Sequence, residues 1–165
     1  MPDITDMDAT HILAQDHRRV EGLFSDYENA SGKSQKEKIA QEICRELKIH
    51  AQIEEEIFYP ALDGKIEDDL LKEAYVEHDG AKILINEIQN GGPDEEFYDA
   101  KVTVLKEQIE HHVKEEEKQR DNMFQQARAA DVDLESLGEK MLARRTELEE
   151  TSDKDGLPDA ELTTM

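Results

Sequence analysis

The sequence predicts an all-α fold, an up-down-up-down antiparallel four-helix bundle with a short fifth C-terminal helix and a flexible tail. Three observations predict it. Apolar residues recur at spacings of three and four along four long segments, the mark of helices that each bury one stripe. Short breakers divide these segments at Asn29-Ala30-Ser31-Gly32, at Gly64 and at Gly91-Gly92-Pro93, and connections this short make neighbouring helices antiparallel. Charged residues form 38% of the chain and aromatics 5%, with no Trp, which suits long solvated helices better than a sheet. The 165 residues suffice for one domain with its own core.

The first segment spans about Ala9 to Glu28, with the stripe Leu13, His17, Val20, Phe24, Tyr27. The second opens at Ser34, read as an N-cap that forms a capping box with Glu37. It runs to about Asp63 and stops at Gly64, a residue suited to the position just past a helix. Pro60 in its last turn is expected to end or kink it. Its stripe is Ile43, Leu47, His50, Glu54, Ile57, Ala61. The third segment, about Glu67 to Asn90, carries Leu71, Ala74, His78, Ala81, Ile85 and Ile88. The fourth starts near Asp94, whose acidic neighbourhood suits a helix N-terminus, and continues to about Ala130 with Val102, Leu105, Ile109, His112, Glu116 and Met123 in phase. The bundle is thus assigned to residues 1–130. A further helix, Leu134 to about Glu149 within 131–150, should pack on the bundle or on a partner. The tail, residues 151–165, is rich in Gly, Pro and acids and reads as largely disordered.

A net charge of −22 argues against nucleic acid and anionic membranes as partners, because both need basic patches. No run approaches the ~18 apolar residues of a membrane helix. The N-terminus, MPDITDMDATHIL, has no cationic and apolar regions of a secretory signal. The single cysteine, Cys44, allows no intrachain disulfide and reads as an inert core residue. A soluble cytoplasmic protein, monomer or homodimer, is expected.

Two stripes contain a His-x-x-x-Glu pair, His50/Glu54 and His112/Glu116. Residues four apart share a helix face, so both pairs point into the bundle, where unpaired polar groups cost several kcal/mol. The other two stripes each add one histidine, His17 and His78. His17 lies 14 residues before Ser31 and His50 lies 19 after it, while His78 lies 14 before Gly92 and His112 lies 20 after it. At ~1.5 Å per residue the four meet near one level of the bundle. Four imidazoles and two carboxylates without a thiolate suit iron or manganese. Six donors exceed the needs of one tetrahedral zinc and divide into two metals, each with two His, both carboxylates bridging. Positions remain for hydroxide, oxygen, peroxide or nitric oxide. No histidine has Glu three residues before it, against the E-x-x-H of ferritin-like sites, and no H-E-x-x-H of a zinc protease occurs.

The segments DHRRVEGLF from Asp16, HAQIEEEIFYP from His50, EHDGAK from Glu77 and HHVKEEE from His111 closely resemble the hemerythrin-like HHE cation-binding family over about residues 10–130. The resemblance implies a four-helix bundle holding two iron ions bridged by carboxylates and an oxo or hydroxo group. The ligands it implies are His17, His50, Glu54, His78, His112 and Glu116, the six that the stripes select. Oxygen-carrying hemerythrins have a further histidine four residues after the third; here that position is Lys82, which favours redox chemistry over reversible oxygen carriage. The ending also departs: Lys118-Gln119-Arg120-Asp121-Asn122 separates the acidic run from Met123-Phe124, with no proline after it.

The remaining polar residues read as follows. His111 and Glu115 form a displaced pair on a mixed surface. Glu55, Glu56, Glu77 and Glu117 read as solvated, with one of them available to accept from a ligand N–H. His11 reads as a cap-region surface residue. Tyr27, Tyr59 and Tyr75 read as packing residues, with Tyr75, one turn from His78, the first candidate to approach the site. The functional expectation is a protein that binds, senses or detoxifies oxygen, peroxide or nitric oxide. Catalase-like or nitric oxide turnover is left open, because no dedicated proton-transfer residue stands out. The alternative is an iron-responsive interaction module whose partner reads metal occupancy.

Overall fold

The structure is a computed structural model that describes residues 8–165. The reading of the N-terminus as lacking a signal falls largely on residues 1–7, outside the described residues. All regular structure among the described residues is helical. Helix α1 spans Ala9–Glu28, α2 Lys33–Ile53, α3 Tyr59–Leu62, α4 Asp68–Asn90, α5 Tyr98–Val113, α6 Met123–Ala129 and α7 Leu134–Asp155. One π-helical turn, Glu54–Phe58, joins α2 to α3, and another, Lys114–Lys118, follows α5.

Contacts between helix ends define the topology. Tyr27 at the end of α1 donates to Asp99 at the start of α5 at 2.6 Å, and Lys36 at the start of α2 reaches the same carboxylate. Gln41 of α2 donates to the Gln89 carbonyl near the end of α4. At the opposite pole Arg128 of α6 donates to Thr10, and Gln126 accepts from the Glu67 N–H at the start of α4. The chain therefore runs up, down, up, down through α1, α2, α4 and α5. No helix of the described residues is long and apolar enough to cross a membrane.

Local chemistry sets the boundaries. Asp8 caps α1 by accepting the His11 N–H at 3.0 Å. The N-cap of α2 is Gly32, with no side-chain bond, and not Ser34; the extended backbone at Gly32 lets the helix begin at Lys33, so Ser34 and Glu37 lie inside it. Gly64 sits at φ +76° after Asp63 closes the second limb, a backbone that glycine adopts without penalty. Pro60 falls in the last turn of the second limb, just after the π-turn, and the limb ends two residues later at Leu62. The fourth limb begins at Tyr98, later than Asp94, and does not run unbroken to Ala130. It stops where Gln119 turns extended, and Asn122 restarts the chain as α6 through a reciprocal capping box with Gln125.

Two apolar clusters stack along the bundle. One gathers Ile12, Leu13, Ile53, Phe58, Leu62, Phe124 and Met141; the other gathers Val20, Phe24, Ile43, Leu47, Ile85 and Leu105. Between them lies a buried polar belt containing His17, His50, Glu54, His78, His112 and Glu116. Cys44 is buried in the second cluster, where burial pushes its thiol up to about 12.

The C-terminal extension differs from its expectation. Helix α7 continues to Asp155, packs on α1 and α2, and ties to α2 through Arg45–Ser152 and to the π-turn after it through Arg144–Glu56. Residues 156–165, read from the sequence as disordered, are laid along α4 as a strap, because polar side chains of α4 bond its backbone.

Candidate metal centre

The π-turns decide which side chains enter the belt. In an α-helix the residue four ahead stands over a given residue; an i+5 bond shifts that by one. The Tyr59 N–H bonds the Glu54 carbonyl and the Gln119 N–H bonds the Lys114 carbonyl, both five residues back. Tyr59, rather than Phe58, is thereby turned toward Glu54. Phe58 turns into the apolar cluster, edge-on to Phe124 at 5.8 Å between ring centres.

The six predicted residues come together in one buried cluster. Glu54 and Glu116 are 0% exposed, and the four histidines no more than 7%. Donor atoms of His17, His50 and Glu116 lie within 4.8 Å of one another, as do those of Glu54, His78 and His112. The carboxylates tie these halves together. Glu54 Oε1 is 2.8 Å from His50 Nε2 and 3.3 Å from His78 Nε2. Glu116 Oε1 is 3.3 Å from His17 Nε2 and 3.1 Å from His112 Nε2. Each carboxylate oxygen thus reaches one histidine of each half.

A seventh polar atom enters the cluster. The Tyr59 hydroxyl donates to Glu116 Oε2 at 3.0 Å and lies 3.2 Å from Nε2 of both His78 and His112. Tyr75, the tyrosine favoured from sequence, instead packs edge-on against the Tyr59 ring at 5.2 Å. Nothing in the stripe spacing marks Tyr59, since its placement depends on the π-turn.

The outward nitrogens follow a closed pattern. His50 Nδ1 faces Asp16 at 2.9 Å, His78 Nδ1 faces Glu55 at 2.8 Å, and His112 Nδ1 faces Glu77 at 2.9 Å. His17 Nδ1 comes within 3.3 Å of Glu117 without making a hydrogen bond to it. Each helix hands an acid to the histidine of the next, around the whole bundle. Such an acceptor fixes the ring's orientation and holds a proton on Nδ1, so that Nε2 faces inward as the donor atom once the ring is neutral. Glu55, Glu77 and Glu117 are therefore not merely solvated, as expected, and Asp16 joins them. Glu56 remains outside and pairs with Arg144. A sequence signal existed: each of these four acids is the immediate neighbour of a belt residue. His111 is exposed and meets Glu115 at 2.9 Å and Glu77 at 3.1 Å, so the buried register is His112/Glu116.

Charge inside the belt is balanced by protons. Burial opposes charging His50, but Glu54 and then Asp16 outweigh it and raise the imidazole to about 10. His112 is likewise disfavoured by burial and lifted well above its ordinary range by Glu116 and Glu77. Burial also opposes the Glu116 charge, and His112 and His17 overcome it, holding the carboxyl well below its ordinary range. At His17 burial wins over the attraction of Glu116 and lowers the pKa. Burial, Glu116 and Glu54 push the Tyr59 phenol well above its ordinary value.

The residues fit a bound cation. His17 Nε2, His50 Nε2, both Glu54 oxygens and Glu116 Oε1 are buried without any hydrogen-bond partner. The close approach of His50 Nε2 to Glu54 lacks hydrogen-bond geometry, so the two atoms face a common space without satisfying each other. Orphaned donors and acceptors at this depth cost about 1–3 kcal/mol each, and positive charge placed among them removes that cost. A cavity of about 30 Å³ adjoins the histidines, walled by Val20, Leu47, Ala81 and Ile85. It is large enough for a diatomic molecule or a water. Lys82 does not enter the belt: its Nζ donates to Glu55 at 3.0 Å and to the Glu161 carbonyl at 2.8 Å.

Fold and donor set together define a helical-bundle metal-binding protein with a histidine-carboxylate centre. The model of the hemerythrin HHE cation-binding domain matches residues 8–120, and the chain belongs to that family. The chain is similar to a hemerythrin HHE cation-binding domain-containing protein of Mycobacterium kansasii, whose crystal structure superposes with a TM-score of 0.73 at 25% identity, covering 91% of this chain and 94% of that one. It is also 26% identical over 115 residues to a Nostoc sp. protein named DNA nickase, covering 70% of this chain and only 33% of that protein's length.

Proposed function

We propose that the chain is a non-heme di-iron protein that binds, senses or detoxifies a small oxidant, with His17, His50, Glu54, His78, His112 and Glu116 as the metal ligands. The observation that carries this reading is the pair of buried three-residue donor sets joined by two carboxylates, whose inward atoms have no partner. A redox-active ion pair held there would supply Lewis acidity and electrons toward oxygen, peroxide or nitric oxide; manganese satisfies the same donors. The protein's own contribution is fourfold. The histidine rings are locked by outer acids, and the carboxylates span both halves. The Tyr59 hydroxyl stands ready to donate to an oxygen atom beside His78 and His112. The small apolar-walled cavity excludes larger substrates. The engagement of Lys82 by Glu55 leaves one fewer nitrogen donor than in an oxygen carrier, which favours reduction of the bound molecule over its reversible release. The same reading has the protein work in the cytoplasm, as a monomer or homodimer.

Anaerobic loading with Fe(II), then admission of air, peroxide or nitric oxide, tests this by optical absorbance and by consumption of the added molecule. A new near-ultraviolet band with peroxide or nitric oxide consumed, and both lost in His78→Ala, is the expected result. Loaded protein that changes neither absorbance nor oxidant concentration would refute it. The Nostoc relative motivates a second reading, cleavage of a DNA strand. The net charge of −22 opposes it, and unchanged supercoiled plasmid after incubation with loaded protein is expected.

A further inference from the structure

The acids behind the histidines are themselves held, and the holders fall into two groups. Arg18 lies on Glu117, behind His17, and His111 lies on Glu77, behind His112; both holders belong to the bundle. The other two acids have bundle cations beside them, Lys82 on Glu55 at 2.8 Å and Arg19 3.8 Å from Asp16, and are reached in addition from the C-terminal extension, beyond the residues 8–120 that match the family. Arg145 of α7 donates to Asp16, the acid at His50 Nδ1. Thr163 of the strap donates its hydroxyl to Glu55, the acid at His78 Nδ1, and accepts from Lys82 Nζ at 3.1 Å.

The strap is seated by a row of polar side chains along α4. Asp79, 0% exposed, accepts the backbone N–H of Thr163 at 2.8 Å and of Thr164 at 2.6 Å. Asn86 pairs with both backbone groups of Ala160, donating at 3.0 Å and accepting at 2.8 Å. Lys82, also buried, donates to the Glu161 carbonyl. Asp79 and Lys82 also pair with each other at 3.5 Å, and with the strap in place their remaining hydrogen-bonding capacity is taken up by its backbone. What this seat fixes in place is the Thr163 hydroxyl over Glu55.

We propose that Arg145 and Thr163 are positioning residues through which the C-terminal extension sets one histidine in each half of the centre, His50 through Asp16 and His78 through Glu55. The inference rests on the reading of these histidines as metal ligands. An acid that loses one of its holders fixes less firmly the ring that donates to it; loss of the acid itself weakens metal holding about 10–100-fold, so loss of one holder falls at the low end of that range. The two braces act on different histidines, so each is felt first at the ion that its own histidine would hold.

Full-length Thr163→Val, Thr163→Ser, Arg145→Leu and Arg145→Lys variants test this with Fe(II) as the probe, loaded anaerobically and released to excess chelator. Thr163→Val should release one of two ions about tenfold faster and affect the other less. Arg145→Leu should accelerate the other ion, and the Ser and Lys variants should move back toward the parent rates. A readout without metal accompanies it: exchange of the imidazole N–H protons followed by nitrogen-15 NMR. There the His78 N–H should exchange faster in Thr163→Val and the His50 N–H in Arg145→Leu, with His112 unaffected. Parent release rates and parent imidazole exchange in both Val and Leu variants would overturn the proposal. Fewer than two ions bound by the parent protein would overturn the metal reading alone, and the imidazole exchange would still decide the positioning role.

Discussion

The two limbs that carry a His-x-x-x-Glu pair start alike and end differently. In each, an α-helix places a histidine inward and passes into a π-turn around the glutamate. The first limb then continues through Tyr59 and Pro60 to a stop at Gly64, and the residue five after Glu54 delivers its hydroxyl to the belt. In the second, the residue five after Glu116 is Asp121, at φ +56° in a break that Asn122 repairs by capping α6. The difference teaches that the motif and its π-turn suffice to bring in a histidine and a carboxylate, while the following turn decides whether a further polar group arrives. The resulting belt is lopsided. Tyr59 stands beside His78 and His112, and among the described residues no tyrosine hydroxyl bonds His17 or His50 in the same way.

The largest expected effect comes from the shared feature. Glu54→Ala or Glu116→Ala removes a carboxylate that touches both halves, so each should abolish retention of both ions, a loss of more than about 100-fold in affinity, read by metal content after desalting. Loss of a single ion in either variant would mean that the halves are not joined through the carboxylates. Tyr59→Phe sharpens the asymmetry instead. It should alter the optical spectrum of the loaded protein and change the release of one ion by about tenfold, whereas Asp121→Ala should leave both untouched.

Acidity probes the two limbs together. His50, raised to about 10, and His112, raised as well, lend the metal-free protein stability that is complete below the ordinary histidine value of 6.5 and is lost as pH rises toward 10. Glu116, held low, contributes above its ordinary 4.5 and fails as pH falls through its lowered value, and neutral His17, also lowered, loses its contribution as pH drops below 6.5. The Tm of the metal-free protein should therefore peak near neutrality and fall by on the order of 5 °C toward pH 9. Metal affinity should rise over that same interval, because binding displaces the protons of His50 and His112. A Tm that climbs toward pH 9 would contradict these assignments. The smallest effects lie at the limb ends: Asn122→Ala removes a cap and should cost about 1 kcal/mol, and Gly64→Ala at positive φ should cost about 1 kcal/mol, both read from chemical denaturation.

What was legible in the sequence was whatever repeats with helical period. The stripes gave the limbs, and the same stripes brought His17, His50, Glu54, His78, His112 and Glu116 to one level, because a polar residue on an apolar face is conspicuous. Tyr59 was hidden because the α-period puts Phe58 over Glu54, and the inserted residue of the π-turn reverses that choice. The ring of outer acids was hidden for a different reason: in a chain with 42 acidic residues an acid beside a belt residue is unremarkable until four of them all reach toward the next helix. The strap escaped because its bonds use its own backbone, and nothing in the spacing of its partners Asp79, Lys82 and Asn86 points to an extended segment.

Whether the proposed two ions are held jointly is read by anaerobic titration of metal-free protein with Fe(II), with bound metal counted per chain. Saturation at two ions per chain in the parent and none retained in Glu116→Ala is expected. Saturation at a single ion in the parent, or undiminished uptake in Glu116→Ala, would contradict joint holding.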